Sequence, residues 1–397
     1  MNILVLNAGS ATLKFGVFRM AENGAGETLA EGLIEGVNTP EATLRLTPAG
    51  QPETRRSIEA ATPIQAAEQA IRACSDLKIE AAGYRVVHGG SRFVAPTRVT
   101  PEILEEVRKL DPLAPLHNPV DRVGIETGLC LLPKVPAVAV FDTAFHASLP
   151  EVARTYALPW QLSERSGLRR YGFHGISHRY VSGQLLERLG RDPAGTRLIT
   201  CHLGNGASLC ALRDGKSVET SMGLTPLEGL VMGTRSGDVD PGLLLYLLRE
   251  GGMTAAELED VLDHQSGLRG LSGRSSDLRT LEQAAAEGDA RAALAMEVFA
   301  YRVRKYLGAY AAVLGGLDAV TFTGGIGEHS AAMRQRICEG LEFLGLRLDA
   351  PRNAAAIPPN AAPISSEDSA VSVWMIPTNE ELQIARETFR LLQGQGP

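Results

Sequence analysis

A strand–glycine loop–strand unit occurs twice in this 397-residue chain, and it limits the possible folds more than any other feature. In the first copy, Ile3–Leu6 and Phe15–Phe18 read as strands around the polar loop Asn7-Ala8-Gly9-Ser10-Ala11-Thr12. In the second, Leu198–Cys201 and Ser208–Leu212 flank Leu203-Gly204-Asn205-Gly206-Ala207. A repeated supersecondary unit suggests two related halves. Elsewhere strands alternate with helices, which gives an α/β class with mostly parallel or mixed sheets.

The helices announce themselves through caps and apolar spacing. Thr100-Pro101 starts a helix with Ile103, Leu104, Val107 and Leu110 on one face. Ser177 can cap a helix bearing Tyr180, Val181, Leu185 and Leu189. Asp240-Pro241 is a good N-cap and first-turn pair, and Thr254 with Glu257 forms a capping box in a helix followed by Gly267. A long Ala-rich helix runs from about Asp289 to Leu314. Ala137–Phe141 is a buried strand ending at Asp142, and Asp318–Thr323 is a strand entering Gly324-Gly325-Ile326-Gly327. Pro351–Ser366, rich in Ala, Pro and Asn, reads as a surface loop. After the strand Ala370–Ile376, a second capping box at Thr378–Glu381 opens the last helix.

Composition narrows the class. Apolar residues make up 44% and charged residues 21%, which excludes a disordered chain, a coiled coil and a collagen-like repeat. With only 5% aromatics, the core must rest on Ala, Val, Ile and Leu. The net charge of −7 argues against a nucleic-acid or anionic-membrane partner. Cys74, Cys130, Cys201, Cys210 and Cys338 are odd in number, widely spaced and without a C-x-x-C pair, so buried thiols in a reduced compartment fit best. The apolar run Ile3–Leu6 is too short for a signal peptide and lacks a basic flank. No apolar stretch approaches the roughly 18 residues of a spanning helix. The expectation is a soluble cytoplasmic protein.

Three glycine-bearing loops follow apolar strands: at Gly9, at Gly204 and Gly206, and at Gly324, Gly325 and Gly327. Glycine lets backbone amides approach an anion, so nucleotide binding and simple tight turns are both open readings. The P-loop pattern is absent, and Ser330 stands where G-x-G-x-x-G needs its last glycine. Lys14 either reaches a phosphate or is an edge-strand lysine, and Ser10 and Thr12 either donate to phosphate or cap the turn. Arg85, Arg235 and His174 lie in apolar surroundings. A buried arginine is costly unless paired, with a substrate anion or with a structural Asp. Asp142 follows the carboxyl end of a strand, where ligands of open α/β sheets gather. Glu381 fits the capping-box position, which leaves Glu380 the freer carboxylate for a hydrated cation.

Taken in order, NAGSATLKF (7–15), RVVHGG (85–90), APLHNP (114–119), VFDTAFH (140–146), RRYGFHGISH (169–178), HLGNGAS (202–208), MGTRSGDVDPG (232–242), SSDLR (275–279), FTGGIGE (322–328) and IPTNEEL (376–382) resemble the acetate kinase family of the acetate and sugar kinase, heat-shock and actin superfamily. The resemblance runs nearly end to end. It implies two ribonuclease-H-like domains, 1–148 plus 380–397 and 149–379, with mixed sheets flanked by helices and an active-site cleft between them that takes ATP. It implies that His202, Leu203, Gly204, Asn205 and Gly206 touch the phosphates, that Asp277, Leu278 and Arg279 bind the nucleoside, and that Gly325, Ile326, Gly327, Glu328 and His329 form a second nucleotide loop. Asn7 and Glu380 would lie around magnesium, with manganese as the substitute, and Lys14 near ATP. Arg85 and Arg235 would hold the carboxylate and the moving phosphoryl group, His174 would stabilise the transition state, and Asp142 would be the active-site acid. Val87, Leu116, Phe173 and Pro226 match the family's pocket for the acetate methyl. His329 replaces the usual Asn, and Ile176 a common Thr.

The resemblance implies the reaction ATP + acetate ⇌ ADP + acetyl phosphate, on the route to acetyl-CoA, in a homodimer without nucleic-acid or membrane partners. The rivals are a propionate or butyrate kinase of the same family and an actin- or chaperone-like ATPase switch.

Overall fold

The computed structural model describes residues 1–9, 11–39, 41–115 and 117–395. It forms two compact units, Met1–Phe145 with Asn379–Pro397, and His146–Thr378.

The first unit is built on an eight-stranded sheet. Its strands are β1 (Asn2–Ala8), β2 (Thr12–Met20), β3 (Gly26–Glu35), β4 (Thr43–Pro48), β5 (Thr54–Ser57), β6 (Ala81–Val86), β7 (Thr97–Arg98) and β8 (Ala137–Phe141). Their order is β5-β4-β3-β2-β1-β6-β8-β7. β1 lies at the centre and Ile3, Leu4 and Val5 are fully buried, as a strand covered on both faces requires. β5, at the edge, exposes all four residues and carries Arg55 and Arg56, charges that discourage edge-to-edge pairing. Helix Glu380–Leu392 packs on β1, β2 and β6. It comes so close that a Cβ on Gly83 would meet Thr388 Oγ1 at 2.5 Å.

The second unit has six strands: β9 (Arg197–Leu203), β10 (Ala207–Arg213), β11 (Lys216–Thr220), β12 (Ala319–Thr323), β13 (Ala362–Pro363) and β14 (Ser372–Met375), ordered β11-β10-β9-β12-β14-β13. Here β11, β10 and β9 are antiparallel, β9, β12 and β14 run parallel, and β13 is antiparallel to β14. In the first unit β3-β2-β1-β6-β8-β7 has the same order and the same directions. The twice-written strand–glycine loop–strand unit is thus the seed of two equivalent sheets, and the expected pair of mixed-sheet α/β domains flanked by helices is present.

Caps explain where the long helix of the second unit begins and ends. Asp289 accepts from the amides of Arg291 and Ala292, and Gly315, at φ 69°, closes helix Ala290–Leu314. Four local expectations change. Helix Gly175–Leu189 begins after His174, one turn before the expected Ser177 cap, and the Ser177 hydroxyl instead meets His202 and Thr378. Gly267 opens helix Gly267–Ser272 after a wide turn at Val261–Gln265. Pro351–Ser366 is largely ordered by helix Ala350–Ala355 and β13, because Asn353 is buried against Arg334. The last helix is capped by Asn379, which accepts from Leu382, so Glu381 is not a capping-box residue. Among the described residues, no helix is long and apolar enough to cross a membrane.

Candidate active site

In the second unit, β9 and β12 are parallel neighbours, so the loops at their carboxyl ends lie side by side. A Cβ on Gly324 would sit 2.7 Å from Leu203 O, and one on Gly204 3.8 Å from Gly325 N, so the two glycine loops pack against each other. They form one wall of a cavity of about 500 Å³, lined by Gly204, Asn205, Ser276, Asp277, Leu278, Arg279, Glu282, Gly325, Ile326, His329 and Ser330. That volume suits a small organic ligand. Asp277 caps helix Leu278–Ala286, and Arg279 folds back to pair with it at 2.8 Å on the exposed rim. The pairing holds the Asp277 carboxyl below its ordinary range. His329 donates from Nδ1 to Gly325 O at 3.1 Å.

Beside the Gly204–Gly206 loop stand a histidine and an arginine. A Cβ on Gly206 would lie 3.3 Å from His174 Nε2 and 3.5 Å from Arg235 Nη1. His174 adopts φ 56°, ψ 23°, a left-handed backbone that is costly for a non-glycine residue and typical of functional positions. Its ring stacks on His202 at 4.2 Å, and its Nδ1 meets Ser208 Oγ at 2.9 Å. The Arg235 side chain is only 21% exposed, yet its one ion-pair contact among the described residues, Asp263, lies at 3.9 Å. Nη1 also reaches Pro226 O at 3.3 Å. Burial pulls the Arg235 pKa down and Asp263 only partly restores it. A largely buried cation with so weak a counter-charge can accept an anion.

In the first unit, Arg85 at the end of β6 donates twice to Asp142 Oδ2, from Nη2 at 2.6 Å and Nε at 3.1 Å. Burial lowers its pKa, but Asp142, Glu380 and Asp121 outweigh that and raise it, so the guanidinium is always charged. Asp121, fully buried, accepts from Val87 N at 2.9 Å, and desolvation pushes its carboxyl up to about 8 despite Arg85. Asn7 donates from Nδ2 to Glu380 at 3.1 Å and to Glu381 at 2.8 Å. Desolvation and the charge of Glu381 raise the pKa of Glu31. Among the described residues no group of three or more His, Cys, Asp or Glu is placed to hold an ion alone. Two carboxylates that converge on one amide are a hard, oxygen-rich set. They fit a cation such as magnesium, which keeps water and phosphate as its remaining ligands.

Most of the expected residues thus fall into three groups. Gly204, Asn205, Asp277, Leu278, Arg279, Gly325, Ile326 and His329 line the cavity. His174, Arg235, Gly206, His202 and Pro226 gather beside it. Asn7, Arg85, Asp142 and Glu380 form the polar cluster of the first unit, where Val87 is buried and Lys14 is exposed. Leu203 and Phe173 are buried by their side chains, and Phe173 O accepts from His146. Gly327 packs against Phe322. Glu328 turns inward, where it accepts from Thr323, Gly324 N and Thr378 N. Leu116 and Ser10 lie outside the described residues. Sequence reasoning missed Ser276, Glu282 and Ser330 on the cavity wall, Glu381 beside Asn7, and the buried His178 behind Ser208. His178 was visible only as a letter of RRYGFHGISH.

A cavity walled by glycine loops, with a largely buried arginine and a histidine at its side, is suited to phosphoryl transfer, and the relatives of this chain place it among the kinases. The acetokinase family model matches residues 2–386. The chain is 47% identical over 99% of its length to the whole of an acetate kinase from Phocaeicola vulgatus, and 46% identical over 99% to the whole of one from Bacteroides fragilis. The structure superposes on Porphyromonas gingivalis acetate kinase with a TM-score of 0.90 at 42% identity, covering 98% of this chain and 99% of that one. A propionate kinase from Francisella tularensis gives a TM-score of 0.90 at 39% identity, with both chains fully covered. The chain belongs to the acetokinase family.

Proposed function

We propose that this chain is an acetate kinase, catalysing the magnesium-dependent, reversible transfer of the γ-phosphoryl group of ATP to acetate, with acetyl phosphate and ADP as products. The observation that carries this reading is the convergence of His174 Nε2 and Arg235 Nη1 on Gly206, beside a cavity walled by glycine loops.

A carboxylate is already an anionic nucleophile, so the reaction needs no strong base. It needs cations and fixed donors that let one anion attack another. Arg235 and His174 would neutralise the charge on the transferred group. Arg85 would hold the acid, and because its fork is braced by Asp142, that carboxylate serves as an orienting group and not as a base. The nucleotide would occupy the cavity, its phosphates against Gly204–Gly206 and its nucleoside towards Asp277–Arg279. Asn7 and Glu380 would hold magnesium (or manganese), with Glu381 alongside, and the ion would offset the charge of the phosphates. Val87, Leu116, Phe173 and Pro226 would set the room for the methyl group. The first domain (1–148 plus 380–397) carries the acid and metal groups in this reading and the second (149–379) the nucleotide, in a cytoplasmic homodimer.

The likeness to a propionate kinase keeps the acid's chain length as the second reading. Steady-state ADP formation with acetate, propionate, butyrate or no acid tests both. The expected result is turnover only with acid present, and kcat/KM for acetate about tenfold or more above that for propionate, the scale of one methylene. Acid-independent turnover overturns the kinase reading, and a preference for propionate overturns the substrate.

A further inference from the structure

We propose that Thr200, His178 and Ser208 are positioning residues that hold His174 in the tautomer with its proton on Nε2, so that an N–H, not a lone pair, faces the phosphoryl group. The consequence for catalysis rests on the role given to His174 above; the tautomer itself does not.

The argument is a count of hydrogens. Thr200 Oγ1 lies 2.7 Å from His178 Nδ1, His178 Nε2 lies 2.9 Å from Ser208 Oγ, and Ser208 Oγ lies 2.9 Å from His174 Nδ1. Thr200, His178 and Ser208 are all fully buried. His178 is neutral, because desolvation and the nearby His146 and His202 hold its pKa well below the ordinary range. The row therefore has three contacts, and the fully buried residues bring three hydrogens to fill them: two hydroxyl protons and the N–H of His178, with the N–H of His174 as a fourth. Only one arrangement uses all three of the fully buried hydrogens within the row. Thr200 donates to His178 Nδ1, His178 Nε2 donates to Ser208, and Ser208 donates to His174 Nδ1.

Reversing the row makes His178 Nδ1 donate to Thr200, whose own buried O–H then has no acceptor among the described residues. If both histidines donate to Ser208, its O–H is the one left over. Leaving a buried donor unmade costs about 1–3 kcal/mol, enough to favour the first arrangement at least several-fold. With Nδ1 accepting, the proton of neutral His174 sits on Nε2, the atom beside Gly206. The supporting residue His146 is fixed by the same logic. Its Nε2 faces Phe173 O at 3.0 Å and must donate there, so Nδ1 accepts from Ser217 at 2.8 Å. That bond anchors the residue just before the left-handed His174.

The test is nitrogen NMR of the full-length protein with ¹⁵N-labelled histidine, at alkaline pH where the rings are neutral. The His174 signals are assigned by their loss in His174→Gln. The expected spectrum has protonated Nε2 and bare Nδ1; protonated Nδ1 in the wild type overturns the proposal. Thr200→Val should move the His174 signals towards the average of both tautomers, and Thr200→Ser should restore them. An unmoved Thr200→Val spectrum also overturns it. Ser208→Ala should lower kcat about tenfold, the factor worth about 1.4 kcal/mol, with both KM values within about twofold, and Ser208→Thr should recover most of the loss. Should Ser208→Ala not fold, the wild-type spectrum decides alone. If His174→Gln leaves kcat unchanged, the catalytic reading of His174 fails while the spectra still judge the row.

Discussion

Replacing Arg235 by alanine should remove most of the catalysis and little of the stability. The guanidinium is largely buried, with a neutral carbonyl at 3.3 Å and a carboxylate only at 3.9 Å. Its cost is therefore poorly offset in the free protein, and its charge is available to a ligand near Gly206. Two unit charges about 4 Å apart interact by roughly 4 kcal/mol at an effective dielectric constant of about 20. At about 1.4 kcal/mol per tenfold, that is about 10³ in kcat, the scale arginine contributes elsewhere in phosphoryl transfer. Lysine at this position keeps the charge but loses the planar fork, so Arg235→Lys should fall between the two. The assay is steady-state kcat at saturating ATP and acetate, with circular dichroism and Tm to show that the variant is folded. A loss below about tenfold in folded Arg235→Ala refutes the reasoning.

Three further outcomes follow from other parts of the molecule. Glu380→Gln removes a carboxylate from the pair at Asn7, and should raise the magnesium concentration for half-maximal rate by about 10–100-fold, the scale on which metal sites respond to losing a supporting group; an unchanged requirement separates Glu380 from the ion. Val87→Ala deletes two buried methyls, and should shift the propionate-to-acetate ratio of kcat/KM by about tenfold towards propionate; an unchanged ratio removes Val87 from the acid pocket. Finally, burial holds His146 down at about 4, against about 6.5 in the unfolded chain. The unfolded chain then binds a proton that the fold refuses, so this stability is complete above about pH 6.5 and is lost as pH falls towards 4, up to about 3 kcal/mol. The buried His178 acts in the same direction. Urea midpoints should therefore fall between about pH 7 and pH 5, and His146→Gln should flatten the dependence; equal slopes contradict it.

Much of this was legible because it is local. Strand spacing and glycine placement carried β1, β2, β9 and β10, and the cap residues carried helices Pro241–Arg249 and Ala290–Leu314. The glycine loops showed where backbone approaches backbone, since a Cβ on Gly324, at φ 76°, would lie 2.7 Å from Leu203 O. What stayed hidden depends on partners far apart in the chain. Glu381 looked like a cap because Thr378 stands three residues before it, yet Asn379 takes that task and Asn7, more than 370 residues away, claims the carboxylate. Ser177 looked like a cap for the same local reason and was drawn to His202. Glu328, within a nucleotide-loop motif, spends its carboxylate on Thr323, Gly324 and Thr378. Arg334 reads as an ordinary helix residue. It is instead buried, with Asn353 and the carbonyls of Gly327 and Glu328 accepting from it, so it ties the second glycine loop to helix Ala350–Ala355. Two residues of interest were beyond periodicity altogether: His178 and Thr200 matter only because the fold lines them up behind Ser208.

Phosphorus NMR of the purified protein with magnesium, ATP and acetate goes straight to the central question, which is where the γ-phosphoryl group travels. The account predicts an acyl phosphate resonance growing in step with ADP, absent without acetate and discharged by hydroxylamine. Inorganic phosphate released at the same rate with or without acetate, and no acyl phosphate, would contradict it.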